Sequence, residues 1–301
     1  MRIAAAAYPL TWFDSFADYE AKITAWVAEA AANGADLLVF PEYAAMELAS
    51  LGGKAVAADK EAAFREVARH RPASDRLHAS LAEMHGIVIL GASGPVFDAA
   101  LHADRPVNRA TLYGPTGTLG HQDKAMMTRV EREAWNVAPG HGLTLFETPI
   151  GRIGISICYD SEFPLLAHRL AEAGCEILLA PSATRALEGF TRVRVGAMAR
   201  ALENQMIAVH APLVGPATWC AGMGDYTGRA SVYGPPDKGF PPEGILAEGA
   251  LGQPGWTYAD VALSQVAEVR RDGGVLNLAH WPEQARGAEK LQIVRAGGQS
   301  G

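Results

Sequence analysis

Gly151-Arg152-Ile153-Gly154-Ile155-Ser156-Ile157-Cys158-Tyr159-Asp160 is the stretch on which the reading of the chain turns. Isoleucine at every second position is the period of a β-strand with a buried face. At Cys158 the alternation breaks into Tyr159-Asp160-Ser161-Glu162-Phe163-Pro164, which puts the thiol at the strand's carboxyl end. Open α/β sheets gather their chemistry beyond the carboxyl ends of strands. Position alone does not make a nucleophile, because free cysteine is among the most buried residue types and usually packs as a small hydrophobe. A reactive thiol needs a base and a charge partner elsewhere in the chain.

Strands and helices alternate on both sides of this segment. Residues 2–8 read as a strand and 16–33 as an alanine-rich helix stopped by Asn33-Gly34. Residues 35–40 form an apolar strand that ends at Pro41-Glu42. Helices are expected over 59–70 and 74–85, with Pro72 as the break, then a buried strand over 87–91. Residues 107–121 pattern as a hairpin turning at Gly114-Pro115-Thr116-Gly117. Strands over 143–147 and 152–157, a helix over 162–173, a strand over 176–181, a helix over 188–203 and a strand over 206–211 follow. Beyond 212 the dense glycine and proline predict loops, with short strands near 229–233 and 258–262 and a loose end at 296–301. No linker divides the chain, so one domain is expected over 1–301, with a core of about 1–265 and a C-terminal extension over 266–301. Buried strands alternating with helices imply a layered α/β fold, and roughly ten to twelve strands are more than one twisted sheet holds comfortably, which implies two.

Composition narrows the function. The net charge of −7 and the lack of a Lys/Arg cluster argue against nucleic acid or an anionic membrane as partner. Three scattered cysteines without a Cys-x-x-Cys pair point to a reducing compartment. The apolar start is broken by Pro9 and reads as a strand, not a leader, so the expected location is the cytoplasm.

Two further residues stand where a cysteine nucleophile would want them. Glu42 ends an apolar strand as Cys158 does, and a carboxyl in an apolar pocket has its pKa raised toward a useful range for a base. Lys124, in His121-Gln122-Asp123-Lys124-Ala125-Met126-Met127, follows the hairpin with few charges around it and offers an ammonium for an oxyanion. Other patterns fail. Gly154-Ile155-Ser156-Ile157-Cys158 lacks the second glycine of a serine-hydrolase elbow, so Ser156 is not the expected nucleophile. Gly222-Met223-Gly224 lacks the third glycine of a dinucleotide loop, and the nine histidines form no ligand motif, so no cofactor and no metal are expected. Cys175 reads as core. Cys220, in a loop beside Trp219, is a candidate to stand near the pocket.

Phe40-Pro41-Glu42-Tyr43, Asp123-Lys124 and Ile157-Cys158-Tyr159-Asp160-Ser161-Glu162-Phe163-Pro164, in this order and spacing, resemble the nitrilase superfamily of carbon–nitrogen hydrolases. The resemblance runs from the first strand to about residue 262, and is nearest to a poorly characterised bacterial branch, some of whose members carry a fused acetyltransferase that is not expected in these residues. It implies a four-layer α-β-β-α sandwich and a homodimer, or a larger homo-oligomer, that packs the helix layers of two protomers together. It implies Glu42 as base, Lys124 as oxyanion stabiliser and Cys158 as nucleophile, helped by the backbone N–H of Tyr159. It also implies a supporting glutamate before a Pro-Gly. Counting back from Pro139-Gly140 selects Glu133, and counting forward from Lys124 allows Glu131. The implied reaction is hydrolysis of a small amide or carbamoyl compound through a thioester. Nitrile hydrolysis, acyl transfer with the same triad, and an inactive binding relative are the alternatives. Selectivity is expected from loops near 45–55, 126–138, 184–190 and 214–228. Tyr43, Met126, Met127, Trp135, Thr184 and Trp219 are the candidate walls, and Arg185 is a candidate partner for a substrate carboxylate.

Overall fold

Side chains of a strand alternate between two faces, and here the two faces serve different cores. In the computed structural model, which describes residues 1–102 and 104–293, strand β1 (Arg2–Pro9) sends Ile3, Ala5 and Ala7 into one core and Ala4, Ala6 and Tyr8 into another. Strands β2 (Leu37–Val39), β3 (Val88–Leu90), β4 (Gly94–Val96), β5 (Val107–Gly114) and β6 (Gly117–Asp123) extend the same sheet. β1, β2 and β3 pair in parallel, while β5 runs antiparallel to β3, β4 and β6. The second sheet holds β7 (Leu145–Thr148), β8 (Gly151–Ile155), β9 (Ile177–Ser182) and β10 (Ile207–Pro216). The short β11 (Asp225–Tyr226) pairs with the end of β10, and β12 (Ser231–Tyr233) and β13 (Ile245–Glu248) add a meander beside it. β14 (Gly255–Asp260) returns antiparallel to β1. The sheets meet where Tyr8 and Pro9 pair with Leu213 and Val214.

Ile153, Ile155 and Ile157 point, with Leu37, Val39, Val88, Ile177, Leu179 and Val209, into the core between the two sheets. The expected sandwich follows. Helices α1 (Phe16–Ala32) and α3 (Lys60–His85) cover the outer face of the first sheet, with the one-turn helix α2 (Gly53–Ala57) leading into α3. After α4 (Arg129–Glu133), which sits beside the site, α5 (Pro164–Glu172) and α6 (Leu187–Asn204) cover the second sheet with Ala167, Leu170, Ala197 and Ala201. Ser156 is buried and lies out of phase with the isoleucines, so it does not join the core between the sheets.

Three sequence expectations change. α3 is one helix from Lys60 to His85 and does not break at Pro72. Ala63, Val67, Arg71, Ser74, His78 and Leu81 recur every three or four residues along one buried stripe, and continuous packing of that stripe outweighs a break of about 3 kcal/mol. Residues 44–50, expected in a pocket loop, are a buried turn of 3-10 helix. The chain beyond 262 is helical in α7 (Leu263–Asp272), α8 (Asn277–His280) and α9 (Gln284–Ala288). Arg270 fastens α7 by donating to the carbonyls of Cys175, Asn204 and Gln205. The expected loose end at 296–301 lies outside the described residues. Among the described residues no helix is long and apolar enough to cross a membrane.

Truncating the inter-sheet core should be expensive and truncating the outer surface should not. Ile155→Ala is expected to lose about 2–5 kcal/mol in denaturant unfolding. Met84→Ala, on the exposed end of α3, is expected to change stability by less than about 0.5 kcal/mol. Equal losses at the two positions would contradict this placement of the core.

Candidate active site

Glu42, Lys124 and Cys158 come from three separate strand ends and meet in one buried cluster. Two of the three approaches are strained. Cys158 takes a left-handed conformation at φ 50°, and Tyr43, beside Glu42, does so at φ 55°. A non-glycine residue held there costs of order 1–3 kcal/mol and persists only where its surroundings dictate it. For Cys158 those surroundings are visible. Ser161 Oγ donates to the Cys158 carbonyl at 2.7 Å, and Arg200 on α6 donates to the Ser161 carbonyl at 3.0 Å. α6 can come this close because residue 196 is glycine: a Cβ there would lie 2.8 Å from the Ser161 carbonyl oxygen. Tyr159 occupies the first turn of the 3-10 segment Cys158–Glu162, where backbone N–H groups have no partner within the helix.

Asp160 ties the thiol to the lysine. Its carboxylate accepts from Ile157 N at 3.1 Å, from Ala125 N at 3.3 Å and from Met126 N at 2.7 Å. One buried side chain therefore bridges the cysteine turn and the lysine loop. Burial pushes its pKa up to about 6 against the pull of Lys124 and the three N–H groups.

The Lys124 ammonium is held by two carboxylates, at 2.7 Å from Glu42 Oε1 and at 2.8 and 2.7 Å from the two oxygens of Glu131. The glutamates differ in what else they accept. Glu131 also takes hydrogen bonds from Thr128 N, Thr128 Oγ1 and Tyr43 Oη. Burial raises its pKa, but Lys124 and Thr128 outweigh burial, so it is held below the usual range and stays charged. Glu42 accepts from Lys124 and from Asn108 Nδ2 (3.0 Å) through the same Oε1. Among the described residues no nitrogen or oxygen donor reaches its Oε2. Burial pushes Glu42 up to about 7, with Lys124 opposing and Glu131 adding to the rise. Behind it, Ser93 Oγ donates to Asn108 Oδ1 at 2.7 Å and accepts from Tyr43 N at 3.0 Å, which pins the amide that pins the carboxyl. Lys124 is driven far above its usual value: burial works against its charge, and Glu42 and Glu131 overcome it. The Cys158 thiol, facing Glu42, is raised well above normal by burial and then by that carboxylate, with Lys124 and the Ala183 N–H opposing, so the resting sulfur is protonated.

These groups line a cavity of about 590 Å³ together with Tyr43, Trp135, Thr184, Arg185 and Tyr226. Its rim carries Arg129, Glu162, Glu188 and Arg192. Glu133, selected by counting from Pro139-Gly140, is not in it. That residue is exposed and pairs with Arg129 at 2.9 Å, while Glu131 reaches Lys124. The physical reason is helix phase: two residues along a helix turn by about 200°, so only one can face the lysine. The sequence held the signal, because Thr128-Arg129-Val130-Glu131 is a capping box, which sets Glu131 three residues into α4. Trp219 does not line the cavity and packs edge-on against Trp12 at 5.3 Å. Met126 and Met127 do not line it either, and Met127 and Cys220 are buried in the core beneath α1 and α3. Asn108, Ser93, Asp160 and Tyr226 carry structural weight that sequence reasoning did not assign. For Asn108 the trace was a carboxamide at the start of a strand with an apolar pattern.

Two measurements test this arrangement. Glu131→Gln removes a buried anion and is expected to cost about 3–5 kcal/mol, whereas Glu133→Gln should stay within about 0.5 kcal/mol. The pH dependence carries a sign. A folded-state pKa of about 7 at Glu42 exceeds the ordinary 4.5, so the native state binds the proton more tightly and loses stability as pH rises between those values. The Tm of Glu42→Gln relative to wild type should therefore climb across that window, and a flat or falling difference would contradict the raised value.

Comparison with known proteins gives the family and the fold. The carbon–nitrogen hydrolase family profile matches residues 2–271. "Probable hydrolase YhcX" of Bacillus subtilis is 29% identical over 278 residues, which are 92% of this chain and 53% of that protein, so the chain spans about half the length of this relative. Omega-amidase NIT2 of Danio rerio is 29% identical over 254 residues, covering 81% of this chain and 83% of its own. Among solved structures, a glutamate-to-glutamine mutant of the amidase from Nesterenkonia sp. AN1, showing Michael addition of acrylamide at the active-site cysteine, superposes with a TM-score of 0.69 at 22% identity, over 90% of this chain and 97% of that one. Nit3 of Saccharomyces cerevisiae, a member of branch 10 of the nitrilase superfamily, gives 0.69 at 20% identity over 90% and 93%. At those identities the two structures speak for the fold.

Proposed function

The chain belongs to the carbon–nitrogen hydrolase family, the nitrilase superfamily, and we propose that it hydrolyses the carbon–nitrogen bond of a small amide or carbamoyl compound in the cytoplasm, through a thioester on Cys158. The observation that carries this reading is the buried set itself. A protonated thiol faces a carboxyl poised near neutrality, beside an ammonium that a second, permanently charged carboxylate holds in place.

Glu42 takes the Cys158 proton as the sulfur bonds to the substrate carbonyl carbon. The carbonyl electron pair moves onto oxygen, and Lys124 and the Tyr159 N–H stabilise that charge. The two events assist each other. Once Glu42 is neutral it attracts the Lys124 ammonium less, and one N–H turns toward the new anion. Glu42 then gives its proton to the nitrogen, the carbon–nitrogen bond breaks, and ammonia or an amine leaves behind a thioester. Water donates a proton to Glu42 and adds to the thioester carbon. Collapse of that adduct expels the sulfur, which recovers the proton, and releases the acid. Glu131 and Asn108 position the lysine and the base and exchange no protons. In the same reading a second copy of the chain packs on the outer face of α5 and α6, where Leu165 and Val195 are exposed.

Ammonia release from a panel of small amides and carbamoyl compounds tests the chemistry. Cys158→Ala and Cys158→Ser should both lose essentially all turnover, and mass spectrometry of the wild type with substrate should find an acyl adduct on Cys158. A fully active Cys158→Ala protein would sink the mechanism. The acid side of the kcat/KM profile should rise as Glu42 loses its proton and level off above about 7. A profile that is flat through that value would remove Glu42 from the role of base.

A further inference from the structure

Three arginines line the catalytic cavity, and two of them are already paired. Arg129 meets Glu133 at 2.9 Å and Arg192 meets Glu162 at 3.4 Å. Arg185 makes no ion pair among the described residues. It is held instead by neutral groups: Nη2 donates to the Gly222 carbonyl, the guanidinium meets the Tyr226 hydroxyl, and the group lies over Trp135 at 6.0 Å from the ring centroid. The loop opposite is shaped to this pair of side chains. A Cβ on Gly222 would stand 3.2 Å from Trp135 Nε1, and one on Gly224 would stand 2.9 Å from Arg185 Nε. A side chain at position 224 would push the guanidinium aside, and one at 222 would press on the Trp135 ring beneath it. The cradle therefore orients the group without neutralising it.

An oriented and uncompensated guanidinium is a fork of donors matched to the two oxygens of a carboxylate. The cavity's buried cation, Lys124, already serves Glu42 and Glu131, whereas Arg185 stands exposed at the cavity mouth. We infer that Arg185 is a specificity-determining residue that binds a carboxylate at the end of the substrate away from the scissile amide, so that the preferred substrates are monoamides of short dicarboxylic acids. This inference rests on the hydrolase reading of Cys158. Its rival on the same rim is Glu188, which like Arg185 is exposed and makes no ion pair among the described residues, and which would favour an ammonium-bearing amide. Glu188 has no cradle comparable to the one around Arg185, which is why the geometry favours the anionic substrate.

The test compares kcat/KM for succinamate and glutaramate with that for butyramide and 4-aminobutanamide, in the wild-type chain and in Arg185→Gln, Arg185→Lys and Glu188→Gln. The wild type should prefer the acidic amides. Arg185→Gln should lower kcat/KM for them by about 10- to 100-fold, the range expected for hydrogen bonds between charged groups, chiefly through KM. Arg185→Lys should recover part of that loss, and Glu188→Gln should keep the preference. A wild type that favours butyramide or 4-aminobutanamide, or an acid-to-neutral ratio that survives Arg185→Gln, overturns the assignment. Absence of ammonia release from every amide, while Cys158 also forms no acyl adduct, would overturn the hydrolase reading beneath it.

Discussion

A single buried ammonium makes the rest of the site possible. Two carboxylates and one lysine lie together out of water, where each ion costs several kcal/mol to desolvate. Without Lys124 the two acids would repel each other, and one would hold a proton permanently. With it, their surroundings can treat them differently. Glu131 is saturated by five donor contacts and stays an anion, while Glu42 is bonded through one oxygen and sits near neutrality. Two residues of one kind thereby take two roles, an outcome common to catalytic carboxylate pairs.

Such an arrangement demands a stiff frame, and the fold supplies it where strands end. The isoleucine run of β8 anchors the approach to Cys158 in the core between the sheets, and the left-handed turn at the cysteine is braced from behind by α6 through Arg200 and the missing side chain at Gly196. β5 carries Asn108 to Glu42, and the backbone of Lys124 donates to the Asn108 carbonyl at 2.9 Å. The buttress of the Glu42 carboxyl and the ammonium thus share one hairpin. The distances among them are settled by strand register, not by flexible loops.

The parts of this design that were legible in sequence are those written in local order. Glu42 and Cys158 each close an apolar strand, and Lys124 follows a hairpin with recognisable turn residues. The parts that were not legible depend on phase or on distant contacts. Counting back from a Pro-Gly selects Glu133 because it ignores helix phase, although the capping box at Thr128 marks Glu131. Pro72 was read as a break because its missing N–H is a local property, whereas the stripe that keeps α3 whole is a tertiary one. α7 buries only Val266 and Val269, too few apolar positions to stand out from a glycine-rich tail. The cradle of Arg185 joins residues 135, 185 and 222–226, and no spacing along the chain announces it.

The bridge made by Asp160 has a consequence for how such a cavity can diversify. Because its carboxylate binds the cysteine turn and the lysine loop at once, those two segments behave as one rigid jaw. The facing wall, from Thr184 to Gly189 with the glycine loop at 222–224, shares none of those three bonds. The molecule resembles a vice with one welded jaw and one exchangeable jaw. Residues on the exchangeable side can be replaced to reshape the cavity while the Glu42–Lys124–Cys158 cluster keeps its spacing, which is the property a scaffold needs if one constellation is to serve many ligands.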